Sequence, residues 1–491
     1  MIQGIDYAAI APPLLCAVAA VLVLLADAFD VPRRWLGAVT CLFLGGALVA
    51  VGVLAAGDRR ATFCVPSGLR GGGPRSCSYV ADDFTLLFQG LVLAAAIIVV
   101  LLSLRTIVED DLPAGEYHFL LLSAIVGALA LVAARDLVTL VVALETLSLP
   151  VFALVGLRRR DGAAAEAALK LFLVSVVSTA VMLFGISLLY GVTGAMHLDR
   201  LSAGLRSVPS DLKPVAAVGA VLVLAGFAFK VAAVPFHFWA PDVYQGAPLP
   251  VAAFLSVVSK AAGFAGLAII AGLGMPSLGH VWGPVIAVLA AATMTLGNLM
   301  ALRQRTAIRL LAWSSVAQSG YMLAPLAVGE RRLPEAVAAT VAYVALYAVM
   351  NLGAFAVVVG VQKAGSPHVP LDGFRGLARR DPVSGTALAF FLICLAGLPP
   401  GVMGLFAKVV VFRAAVAGNV TWLAVVMAVN TVLGLYYYLA WAARVFAASA
   451  SDEGTTRPGL AVRAAIAATG AGALVLSVAP QLVLSAVAAA T

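Results

Sequence analysis

Apolar runs of about twenty residues follow one another along almost the whole chain, separated only by short polar stretches. A helix of that length crosses the hydrocarbon core of a bilayer, where every backbone polar group must be satisfied within the segment. With this ruler the sequence predicts fourteen spans: roughly 8–27, 35–56, 84–104, 117–134, 137–157, 166–190, 215–238, 250–273, 281–302, 307–327, 334–361, 385–414, 420–446 and 461–487. No stretch between them is long enough for a soluble domain. Composition points the same way. The 491 residues are 63% hydrophobic and 11% charged, against roughly 25% charged in soluble domains, and the mean hydropathy is +1.06. A soluble fold is excluded, and the expected class is an all-α integral membrane protein.

The net charge of +8 comes from basic residues scattered singly through short loops, which argues against nucleic acid as a partner. The five cysteines form no CxxC and no metal-site spacing. The first apolar run follows Asp6 rather than a basic segment and reads as a retained span, not a signal peptide. With the N-terminus outside, the inner loops collect sixteen Lys and Arg against ten in the outer loops, so the positive-inside rule places both termini on the outer side. The longest loop, 57–83, is rich in Gly, Arg and Ser and is expected to be irregular. It carries Cys64 and Cys77, and an outer location lets them oxidise. Pro74 and Gly71–Gly73 allow the chain to fold back between them, and closing a ring of this size is worth roughly 3 kcal/mol. Two free thiols are the alternative. Cys16, Cys41 and Cys394 lie in apolar spans and are expected to stay reduced.

Against this background the ionisable residues inside apolar runs carry the functional information. Lys170, Lys230, Lys260 and Lys408 each stand singly in a predicted span, and so does Glu145. An ionisable group at the bilayer centre costs about 2.5–3.5 kcal/mol or more, so such groups face a protein or water interior and mark ion or proton paths. Lys260 sits too deep for easy snorkelling, whereas the rival reading for Lys230 and Lys260 is a permanent ion pair with a carboxylate. Glu145 is the natural partner for one of these lysines. Glu166 and Lys170 share a helix face by their i,i+4 spacing, so a surface ion pair competes with a relay role there. His237 fits a buried structural histidine as well as a proton carrier, and His118 begins a span. His197, His280 and His368 read as loop residues.

Two spans also carry helix breakers at depth. Pro235 follows Lys230 by five positions and would free the Val231 carbonyl. Gly397-Leu-Pro399-Pro400-Gly401 interrupts the twelfth span before Lys408. Paired broken helices point to inverted repeats with a transport site at the breaks, although prolines also simply kink membrane helices. No P-loop, dinucleotide fingerprint, HExxH or cluster-binding cysteine set occurs, so no redox centre is expected in this chain.

The segment Gly226-Phe-Ala-Phe-Lys230-Val-Ala-Ala-Val-Pro235-Phe-His-Phe-Trp-Ala-Pro-Asp242, followed by Ser259-Lys260-Ala-Ala, resembles the core of the antiporter-like subunits of respiratory complex I. Leu144-Glu145-Thr, Glu166-Ala-Ala-Leu-Lys170, Arg309-Leu-Leu-Ala-Trp-Ser-Ser-Val-Ala-Gln318-Ser-Gly-Tyr321 and Leu395-Ala-Gly-Leu-Pro-Pro-Gly with Lys408 extend the likeness over about 120–445. The Leu-Glu-Thr and the lysine at 408 resemble its subunit N branch rather than subunits L and M. Gln318 departs from the pattern, because many members have a titratable histidine there.

The resemblance implies about fourteen transmembrane helices with two inverted five-helix repeats, each containing a discontinuous helix. The divisions would be 1–115, a first repeat at 116–275, a second at 276–446, and 447–491 with the last helix. It implies a proton-translocating subunit of NADH:quinone oxidoreductase in a bacterial plasma membrane. Glu145, Lys170, Lys230, Lys260 and Lys408 would carry the protons, with Glu145 and Lys230 as control pair, Lys260 as central relay and Lys408 on the exit side. No cofactor is expected in this chain; NADH, FMN, iron–sulfur clusters and quinone would belong to partner subunits. Subunit M and small membrane subunits would be its neighbours. A subunit of a multisubunit sodium/proton antiporter and a structural subunit without a proton path are the rival readings.

Overall fold

The computed structural model describes residues 4–66, 68, 75–158, 161–362, 369–448 and 458–491. Arg70, Gly71–Gly73, Pro74, Arg159, Arg160, Lys363, His368 and Arg457 therefore lie outside the described residues, and with them part of the charge count behind the orientation.

The chain begins with α1 (Ala11–Ala28) and α2 (Arg33–Ala55), followed by strands β1 (Arg60–Cys64) and β2 (Cys77–Ala81). Then come α3 (Asp83–Glu109), α4 (Ala114–Ala133), α5 (Leu137–Val155), α6 (Gly162–Thr193) and the short amphipathic α7 (Leu198–Arg206). Next are α8 (Lys213–Lys230), α9 (Trp239–Gly246), α10 (Leu249–Phe254) and α11 (Lys260–Ile269). The second half comprises α12 (Gly279–Ala301), α13 (Ala307–Leu323), α14 (Leu333–Val361), the single turn α15 (Leu377–Arg380), α16 (Pro382–Ala396), α17 (Val402–Ala417), α18 (Thr421–Phe446), α19 (Leu460–Val478) and α20 (Gln481–Ala490). Helix starts are set by aspartates that accept otherwise unpaired amides of the first turn. Asp82 caps α3, Asp136 α5, Asp161 α6 and Asp381 α16.

Among the described residues twelve helices are long and apolar enough to cross a membrane. Two predicted spans differ from that description for local reasons. The tenth, 307–327, is α13 continued by a tighter turn, Ala324–Val328, around Pro325. The twelfth, 385–414, is two helices, α16 and α17, parted at Gly397–Gly401. The seventh, 215–238, ends early. α8 stops at Lys230, and the backbone turns at Ala232, whose φ of 56° is a left-handed conformation unfavourable for a residue with a Cβ.

α10 and α11 join through a π-helical turn, Leu255–Ser259, into one apolar rod, Leu249–Gly274, sheathed by protein on all sides. With α13 and α14 it forms the centre of the molecule, whereas α1, α2 and α19 leave large apolar side chains such as Val21, Leu42 and Leu474 exposed, as lipid-facing helices do. The 57–83 loop is not irregular throughout. β1 and β2 pair antiparallel with Cys64 directly opposite Cys77, and these two form a disulfide. Thr62, Phe63, Tyr79 and Val80 supply the β-branched and aromatic content that favours a strand pair. Cys16, Cys41 and Cys394 are free.

Candidate functional site: a buried line of lysines

Lys230 terminates α8 and is buried, its stem passing over Gly263 of α11, where an added Cβ would meet its Cγ at 3.0 Å. The break after it exposes backbone groups that other helices satisfy. The Phe229 carbonyl accepts the Trp239 indole at 3.2 Å, and the Val234 amide donates to Thr293 of α12 at 2.9 Å. The Lys230 ammonium donates to Ser148 Oγ at 2.8 Å. Ser148 lies one turn beyond Glu145 on α5, and Glu145 accepts from Thr179 of α6 at 2.5 Å. The expected Glu145–Lys230 partnership is therefore not a contact ion pair: Lys230 bonds Ser148, and Glu145 bonds Thr179. A cavity of about 10 Å³ beside Lys230 is lined also by Ser148, Ser175 and Ser259. It is about the size of one water.

Lys260 opens α11 immediately after the π-helical turn, a feature that often marks functional sites. Its ammonium donates to the Ser315 carbonyl and to Ser315 Oγ, the latter at 2.6 Å. The same Oγ accepts from Tyr347 at 2.9 Å. α13 then carries a polar face away from Lys260. Ser314 bonds Tyr438 of α18; Gln318 bonds both Tyr343 of α14 and Tyr438; and the Tyr321 ring stacks parallel to Tyr343 with centroids 6.1 Å apart. Lys408 of α17 lies 5.8 Å from the Tyr321 ring centre and donates to the Ala396 carbonyl at 2.5 Å. That carbonyl is left unpaired because α16 ends there, at Gly397 with φ 80°. A cation at a helix C-terminus is the favourable arrangement.

Three of the five predicted residues thus form a buried line, Lys230, Lys260 and Lys408, and Glu145 lies beside its start. Lys170 does not join it. Its side chain is 44% exposed and pairs with Glu166 at 2.7 Å and Asp242 at 3.0 Å, while Asp242 also meets Arg309. The i,i+4 spacing produces the surface pair, and Lys170 belongs to that charged rim. His237 is buried against Trp313, 5.4 Å between ring centres, and His118 is buried in α4. Sequence reasoning passed over Ser148, Thr179, Ser315, Tyr343, Tyr347 and Tyr438. The recurrence of Tyr343 and Tyr347 at i,i+4 in an otherwise apolar helix was the available signal. Among the described residues no three His, Cys, Asp or Glu side chains gather as a metal site.

None of the three buried ammonium groups has a carboxylate within ion-pairing distance among the described residues; each is held by neutral oxygens. A buried lysine paired with an anion cannot lose its proton without stranding the anion. One held by hydroxyl and carbonyl oxygens can change charge while its partners stay satisfied.

The comparisons agree with this architecture. Residues 134–434 match the family described as NADH:quinone oxidoreductase/Mrp antiporter, transmembrane. The chain is 54% identical to NADH-quinone oxidoreductase subunit N 2 of Streptomyces griseus, over 93% of this chain and 85% of that protein. It is 47% identical to subunit N of Salinispora tropica, over 89% and 85%. A chain of respiratory complex I from Thermus thermophilus superposes with a TM-score of 0.80 at 33% identity, covering 98% of this chain and 100% of that one. A chain of the Mrp complex from Dietzia sp. shares the fold, with a TM-score of 0.83 at 22% identity over 98% and 97%. On these grounds the chain is a multi-pass membrane protein that belongs to the antiporter-like family of complex I, in its branch of NADH-quinone oxidoreductase N subunits.

Proposed function

We propose that this chain is a proton-translocating membrane-arm subunit of an NADH:quinone oxidoreductase and that Lys230, Lys260 and Lys408 carry the protons. The observation that carries this reading is the set of three buried lysines with neutral partners, a costly arrangement that a purely structural subunit does not need. Glu145 is the control carboxylate. A displacement of its charge relative to Lys230 changes that lysine's proton affinity, and 1.36 kcal/mol shifts it tenfold. Protons then pass to Lys260 and on to Lys408. Lys170 acts at the rim, where its pairs with Glu166 and Asp242 hold the start of α6 against α9.

The two breaks, after Lys230 and before Lys408, support fourteen crossings arranged as inverted repeats over 116–275 and 276–446, with 1–115 and 447–491 flanking them. The bias of basic residues toward the inner loops supports both termini outside, and the likeness to bacterial N subunits supports a bacterial plasma membrane location. NADH, FMN, iron–sulfur clusters and quinone belong to partner subunits, and subunit M and small membrane subunits are the neighbours.

Gentle solubilisation followed by native mass spectrometry and absorbance spectroscopy tests this assignment. Co-purification with flavin- and iron–sulfur-bearing subunits is expected. An assembly lacking both absorbances would instead identify a sodium/proton antiporter complex.

A further inference from the structure

Among the described residues the Lys260 ammonium bonds one residue, Ser315 of α13, through that residue's carbonyl and its hydroxyl. Groups from three other helices meet at the hydroxyl. Lys260 of α11 donates to Oγ at 2.6 Å, the Tyr347 hydroxyl of α14 donates to it at 2.9 Å, and the Tyr244 hydroxyl of α9 lies 3.4 Å away. All four residues are buried. A serine hydroxyl has one proton and two accepting lone pairs. Lys260 and Tyr347 take both lone pairs, so the Ser315 proton is directed to the Tyr244 oxygen. At 3.4 Å this is the longest and weakest of the three bonds, and the one given up at least cost.

A neutral amine differs from an ammonium in carrying a lone pair, which needs a donor when it is buried. The Ser315 carbonyl can only accept, whereas its hydroxyl can do either. We propose that the Ser315 hydroxyl is a two-position partner that satisfies Lys260 in both of its charge states, with Tyr244 as the group it turns to and from. This rests on the reading of Lys260 as a proton carrier. With Lys260 charged, the ammonium donates to Oγ and the Ser315 proton rests on Tyr244. With Lys260 neutral, the hydroxyl swings its proton to the amine while Tyr347 keeps its lone pair. The lone pair that Lys260 releases is then open to the Tyr244 hydroxyl, so the Ser315–Tyr244 bond reverses instead of breaking. Lys260 alone gains or loses a proton. Ser315, Tyr244 and Tyr347 each keep their own and merely redirect it.

The test is the rate of proton pumping by the whole complex in proteoliposomes, normalised to assembled complex. Ser315→Ala keeps the carbonyl as an acceptor for the ammonium but deprives the neutral amine of its donor. It is expected to slow pumping about tenfold, the change that 1.4 kcal/mol produces. Tyr244→Phe removes a single oxygen and touches neither Lys260 bond. It is expected to slow pumping by a smaller factor, roughly threefold, and to cause no further loss in the Ser315→Ala background, because Tyr244 acts through that hydroxyl. A merely structural tyrosine would slow both backgrounds alike. Wild-type pumping by assembled Ser315→Ala, or an equal loss from Tyr244→Phe in both backgrounds, overturns the proposal. If Ser315→Ala does not assemble, Tyr244→Phe decides. A loss of pumping with unchanged thermal unfolding then supports the proposal, and wild-type pumping, or a loss matched by a lowered unfolding temperature, overturns it. Lys260→Ala separates the two levels. Its loss of pumping beside a normal Ser315→Ala sinks only this proposal, whereas normal pumping by Lys260→Ala sinks the underlying reading as well.

Discussion

A lysine buried among neutral oxygens behaves differently from one locked to a carboxylate, and that difference governs the single-residue expectations. Lys230→Ala removes the ammonium but leaves Ser148 able to bond the Leu144 carbonyl, as it already does at 2.7 Å. The complex should assemble, with pumping and coupled quinone reductase activity falling on the order of a hundredfold. Glu145→Gln should show a related loss, and Glu145→Asp a milder one, because it keeps the charge while shortening the reach to Thr179. Lys408→Arg retains charge but cannot release a proton, so its pumping should match that of Lys408→Ala rather than wild type. Gly397→Ala forces a Cβ onto φ 80° and places it 3.2 Å from the Lys408 Nζ. A stability loss of about 1–2 kcal/mol is expected from the backbone alone, together with reduced pumping, both measurable by thermal unfolding and proteoliposome assays. At this scale the sequence revealed the charges and hid their partners. A lysine in an apolar run is conspicuous, whereas Ser148 and Ser315 are not. Serines in membrane helices commonly bond their own i−4 carbonyl, so their presence alone says nothing about a lysine. Lys170 hid a partner too: Asp242, far away in sequence, joins Glu166 in pairing with it at a charged rim.

The hairpin between α2 and α3 shows the same division at the level of an element. The disulfide was legible from two cysteines in one loop, but the strands were not, because the Gly- and Arg-rich composition masked two short β-prone segments. Reduction of Cys64–Cys77 should remove roughly 3 kcal/mol of loop-closure stabilisation, seen as faster amide exchange in β1 and β2 while exchange in α4 and α5 stays unchanged. The hairpin is anchored at Asp82, which receives Arg135 at 2.8 Å and caps α3. Burial opposes ionisation of Asp82, but the Arg135 charge and the bonds from Arg135 and Thr85 outweigh it and hold the carboxyl below its usual range. Its folded pKa is thus depressed relative to the unfolded chain. The stabilisation is fully present above about pH 4 and is lost as pH falls through the lower folded value. Amide protection at the start of α3 should therefore persist at neutral pH and decline in acid, and Asp82→Asn should abolish that pH dependence.

Across the whole molecule, hydropathy identified the all-helical membrane class, with twelve helices among the described residues long and apolar enough to cross a membrane, because it measures the solvent rather than the fold. It ran together what the backbone separates, reading α16 and α17 as one span, although Gly397 and the two prolines signalled the break. It could not show that Lys230 and Lys408 both sit at such breaks, or that α13 spans the interval between Lys260 and Lys408 with a polar face, since those relations depend on packing between distant segments. The central claim is that protons cross the membrane through these lysines. Proton pumping by the purified complex carrying Lys260→Ala, reconstituted into proteoliposomes and normalised to electron transfer from NADH to quinone, addresses it most directly. The account expects an assembled complex in which the proton-to-electron ratio collapses, and an assembled Lys260→Ala complex that pumps at the wild-type ratio would contradict it.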